Sequence, residues 1–65
     1  MKIIQIRNEN TTQFVRGIMG QHVHFTESKE HAATYPEAWL NLCNEDFEMV
    51  QSQMEKNWNV TIQEI

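Results

Sequence analysis

The stretch PEAWLNLCNEDFEMVQSQMEKNW, residues 36–58, decides how this chain folds. Within it Leu40, Cys43, Phe47, Val50 and Met54 recur at alternating steps of three and four, which sets them on one face of an α-helix. Glu37, Asn41, Glu45, Glu48, Ser52 and Glu55 fall on the opposite face. Pro36 suits a first helical turn, where its missing N–H has no partner to lose. Thr34-x-x-Glu37 has capping-box spacing, so the helix is expected to begin near Tyr35 and to end at Asn57 or Asn59. Asn44-Glu45-Asp46 admits two readings: the polar face of one helix, or the cap and acidic first turn of a second. The unbroken three-four rhythm favours the continuous helix.

A second apolar set complicates this helix. Leu42 and Met49, flanked by Ala38, lie about 120 to 140° from the centre of the main stripe at roughly 100° per residue. One flat sheet cannot cover both sets. The leftover residues call for a second chain, as in a symmetric homodimer, for another partner, or for a break at Asn44. Trp39 and Trp58 share the ambiguity, each being core filler or an interface anchor.

Outward from the helix the chain reads as strands. In Lys2–Arg7, KIIQIR, Ile4 and Ile6 share one face and Ile3 takes the other, the mark of a strand covered on both sides. The polar cluster Asn8–Thr12 is a turn, and Gln13–Met19 resumes as the second arm of an antiparallel hairpin, with Gly17 marking a bulge. Gly20-Gln21 marks a bend. His22–Phe25 then alternates, Val23 and Phe25 against His22 and His24, as a third short strand or a continuation of the second. Thr26–Ala33 has the composition of a short helical turn capped by Thr26 or Ser28. Val60–Ile65 closes the chain as a strand with Val60 and Ile62 inward. The expected fold is α+β, a small two-layer domain in which a mostly antiparallel sheet of three or four strands carries the helix on one face.

Length and composition narrow the function. Sixty-five residues form one domain that buries only roughly 60% of the surface its unfolded chain exposes. The single Cys43 excludes an internal disulfide, and neither a leader-like stretch nor a long apolar run is visible, so a cytoplasmic setting is expected. Five Lys and Arg against nine Asp and Glu oppose direct nucleic-acid binding, which needs a basic surface. Residues 45–65 carry Glu45, Asp46, Glu48, Glu55 and Glu64 against Lys56 alone, so the net charge resides there.

Few residues point to chemistry. His22-x-His24 shares a strand face and, with His31 and Cys43, would offer the donor types of a zinc or redox site, but the spacings match no paired ligand motif. Cys43 could act as a nucleophile beside a His and Asp46, yet it sits on the apolar stripe, where a free Cys is a small buried hydrophobe. No phosphate loop, nucleophile elbow or Asp-rich metal loop occurs, so neither an enzyme nor a cofactor is expected. The candidate binding residues are Glu45, Glu48 and Glu55, whose carboxylates suit a basic groove on a partner, with Leu42, Met49 and Trp39 as apolar anchors.

The N-terminal hairpin, the turn containing Phe25, Ala32, Ala33 and Tyr35, the helical segment and the final V-x-I-x-x-I strand together resemble small accessory proteins encoded by bacteriophages and prophages. That resemblance, one of size and layout along the whole chain, implies a non-enzymatic protein that inhibits or modulates a host macromolecule.

Overall fold

The computed structural model describes residues 1–65. Strand β1 (Lys2–Arg7) lies inside a four-stranded antiparallel sheet of order β3-β2-β1-β4, with β2 at Thr12–Met19, β3 at His22–Thr26 and β4 at Asn59–Glu64. Helix α1 (Leu40–Gln53) packs on β1 and β4, and a 3-10 turn at Glu37–Trp39 runs straight into it. Ile3, Ile4 and Ile6 are all fully or almost fully buried, as expected of a strand covered on both faces. His22–Thr26 forms a separate strand, which decides between the two readings of that segment.

Local chemistry sets the hairpins. The Asn8 side-chain oxygen accepts from the backbone N–H groups of Asn10 and Thr11 at 3.0 and 2.8 Å, closing the β1–β2 turn. Gly20 adopts φ 64°, and no other residue has positive φ, so the two-residue link from Met19 to His22 has its left-handed residue first, the arrangement of a type II′ hairpin. The expected bulge lies between Val15 and Gly17, where the pairing of β2 with β3 shifts by one residue.

β2 leaves β1 after Phe14, just ahead of that bulge. The two strands are in register only at Gln5, Ile6 and Arg7. Lower down, the segment Ala33–Tyr35 enters the gap: Lys2 and Tyr35 exchange backbone hydrogen bonds of 2.9 and 2.8 Å, and Ala33 N–H donates to the Val15 carbonyl at 2.9 Å. The route to this gap passes a 3-10 turn at Lys29–His31, preceded by Ser28, whose N–H donates to Thr26 Oγ1 at 3.1 Å.

The main core joins Ile4, Ile6, Val15, Val60 and Tyr35 to Cys43 and Val50 of α1, with Ile18, Val23, Phe25, Phe47, Met54, Trp58 and Ile62 around them. On the other side of the sheet Ile3, Phe14 and Ala32 make a small second cluster, so the 27–35 connection covers part of the face that α1 leaves free.

Three details differ from the sequence expectations, and a fourth decides an open choice in the way the three-four rhythm favours. The helix starts after Pro36, which occupies the N-cap position with no side-chain cap bond, so the Thr34-x-x-Glu37 box is not made. It ends at Gln53, earlier than Asn57, because Met54 turns extended and the chain must reverse quickly to bring Asn59 beside Arg7. Leu40 belongs to the stripe by spacing but is 47% exposed, since the first turn overhangs the start of β1 near Lys2 and Glu37. The helix passes Asn44 without interruption, which removes the break as an explanation for Leu42 and Met49.

Candidate interaction face

Helix α1 is held on the sheet by its Cys43–Val50 line, both residues being fully buried. Its flank toward the β2–β3 turn is tied twice. Tyr35 Oη donates to Asp46 Oδ2 at 2.7 Å, and Gln53 Nε2 donates to the Gln21 carbonyl at 2.9 Å. These bonds fix the rotation of the helix and so decide what it shows outward.

The outward side carries Leu42, Glu45, Glu48 and, half-buried, Met49. Leu42 is 45% exposed and Trp39, at the entrance to the helix, 54%. Trp58 is half-buried against the core, so the two tryptophans part company. Glu55 lies exposed in the turn beyond α1. All six candidate binding residues therefore belong to the helical segment or its two ends.

The five acids of residues 45–65 divide by use. Asp46 accepts the Tyr35 hydroxyl. Glu64 bridges Lys2 Nζ at 2.9 Å and the Met1 amino group at 3.3 Å, and these cations hold its carboxyl below the usual carboxylate range. The hydrogen bond from Lys2 to Glu64 raises the lysine in turn. Glu45, Glu48 and Glu55 take part in neither ion pair of the structure. Glu45 and Glu48 share the outward side of α1 with exposed Leu42, while Glu55 lies beyond its C-terminal end and Trp39 before its N-terminal end.

The histidines and the cysteine do not converge. Cys43 is sealed between α1 and the sheet, and burial pushes its thiol up, with Asp46 adding to the effect and Lys2 opposing it. His22 and His24 pair with Met19 and Gly17 on the opposite face of the sheet, exposed, and His31 sits in the 3-10 turn. Nowhere do three or more His, Cys, Asp or Glu side chains gather as a metal would need. Burial also separates Cys43 from any base and from any substrate, so the sequence pairing of Cys43 with a histidine has no geometric counterpart.

Two features escaped the sequence reading. The Tyr35–Asp46 bond depends on the gap between β1 and β2, and its only trace in sequence is an acid lying between two apolar helix sets. The Lys2–Glu64 bridge follows from the pairing of the first and last strands.

No protein-family model matches the chain, no curated protein matches it, and no solved structure matches its fold.

Proposed function

We propose that this chain is a small protein-interaction module that inhibits or modulates a macromolecular partner by docking the outer face of α1 against it. The observation that carries the reading is Leu42, left 45% exposed on an uninterrupted helix beside the unpaired Glu45 and Glu48. Burial of a leucine contributes about 1.5–3 kcal/mol, enough to anchor a contact. The carboxylates add steering and choice of partner rather than bulk affinity. Together they select a surface with an apolar cleft rimmed by Lys or Arg, with Met49 and Trp39 extending the anchor along the helix. A protein that itself binds nucleic acid offers such a rim, and occupying it would inhibit. The resemblance to phage accessory proteins implies the same kind of role.

Capture from a cell lysate by immobilised protein tests the reading when run with three baits. The native chain should retain a partner that is released by moderate salt. Glu45→Lys with Glu48→Lys and Glu55→Lys should lose it, and Leu42→Ser should weaken it, both variants keeping the native circular dichroism spectrum. Retention of the same partner by the folded triple variant would remove these carboxylates from the interface.

A further inference from the structure

The outer edge of β4 has no neighbouring strand. Lys2 spends its backbone N–H and C=O on Tyr35, on the side away from β4. By strand alternation Ile3, Gln5 and Arg7 therefore exchange bonds with Gln63, Thr61 and Asn59. The backbone groups of Val60, Ile62 and Glu64 consequently point away from the sheet, toward no other strand.

Sheet edges left open are normally blunted by lysine, proline, a bulge or a covering segment. β4 has none of these devices. It pairs with β1 through all six of its residues in unbroken register, and its centre, Val60-Thr61-Ile62-Gln63, is uncharged and rich in β-formers. The other edge is unlike it: β3 is shorter, its partner strand is bulged beside Arg16, and the 27–35 connection departs from its end.

We infer that β4 pairs antiparallel with β4 of a second copy of this chain about a two-fold axis at Ile62, joining the two sheets into one of eight strands. In that register Ile62 meets Ile62, Thr61 meets Gln63 and Val60 meets Glu64, so no two like charges are opposed. A standard interface buries roughly 800 Å² per partner, more than a short strand edge offers alone. The flank of α1 over this edge supplies the addition. Asp46, bonded to Tyr35, and Gln53, bonded to the β2–β3 turn, occupy the opposite flank, which leaves Leu40, Asn44 and Gln51 on the β4 side with Glu48 at their outer border. The axis carries this flank against its own copy and covers Leu40. A homodimer through the outer side of α1 would instead bring Glu45 and Glu48 of both copies together without a neutralising base. The edge dimer leaves Leu42 and Glu45 free, so it stands independently of the proposed function.

Light scattering on the purified chain, eluted from a sizing column at high micromolar concentration, should give twice the 7.7 kDa chain mass. Thr61→Lys with Gln63→Lys opposes two pairs of like charges across the axis and should weaken the dimer about tenfold or more. Thr61→Lys with Gln63→Glu makes both pairs attractive and should restore it, which separates loss of pairing from loss of fold. Leu42→Ser should leave the dimer intact. A native monomer at these concentrations, a dimer indifferent to the double-lysine variant, or one abolished by Leu42→Ser would each overturn the inference.

Discussion

Replacing Tyr35 with Phe removes one atom at the point where helix, sheet and connecting segment meet. The hydroxyl lost is the donor of a 2.7 Å hydrogen bond to Asp46, from a tyrosine only 6% exposed. A hydrogen bond to a charged group contributes about 1.5–3 kcal/mol, and Asp46, half-buried, regains part of this from water once the hydroxyl is gone. A net loss of about 1.5 kcal/mol follows, which lowers the Tm of a domain this small by roughly 6–12 °C. The same bond has a signature in pH. Burial, reinforced by the hydrogen bond and charge of Asp46, raises the phenol well above its ordinary value of 10.0. With the folded value raised, this contribution is complete below about pH 10 and is lost as pH climbs beyond it, at no more than about 1.4 kcal/mol per pH unit. Buried Cys43, whose thiol is also raised, adds a loss of the same sign beginning nearer its ordinary 9.0. The difference between native and Tyr35→Phe protein isolates the tyrosine. Thermal melts followed by circular dichroism from pH 7 to 11 should show the variant less stable at neutrality and the gap closing above pH 10. Equal stability at pH 7 together with parallel alkaline limbs would refute the role given to this bond.

Two further perturbations test the frame. Gly20→Ala forces a side chain into φ 64° and should cost about 1 kcal/mol in urea denaturation, whereas Gly17→Ala, with ordinary φ and open space around the added carbon, should be neutral or slightly stabilising. Cys43, fully buried, should react with a thiol reagent only at the rate at which the protein opens; its reaction should be slow in native buffer and rapid in denaturant, and immediate labelling of the native protein would contradict its place in the core.

What the sequence revealed was whatever depends on neighbours close in the chain. The three isoleucines of β1 announced burial on both faces, Gly17 announced the bulge, and the spacing of Cys43, Phe47, Val50 and Met54 announced the helix and its inward side. Pairings that depend on distant segments were not legible. Leu40 obeys the helical rhythm, but rhythm does not say where the sheet beneath it ends. The helix stops at Gln53 because of a destination, Asn59 beside Arg7, that no local residue encodes. Leu42 illustrates both sides: its angle showed that α1 could not hide it, while only the unbroken passage through Asn44 removed one of the three explanations. For the proposed interaction face, the sequence named candidates but not the division of acids into those engaged within the fold, Asp46 and Glu64, and those left over.

The gap between β1 and β2 has a mechanical consequence. The sheet is two ribbons, β4 with β1 and β2 with β3, stitched along half a seam from Gln5 to Arg7, with the 33–35 segment filling the other half. A load applied to the outer face of α1 reaches that seam through the Tyr35 hydroxyl and reaches the β2–β3 ribbon through Gln53. The helix therefore works as a brace across two leaves hinged at one end. Anything that grips its outer surface also holds the leaves at a fixed angle.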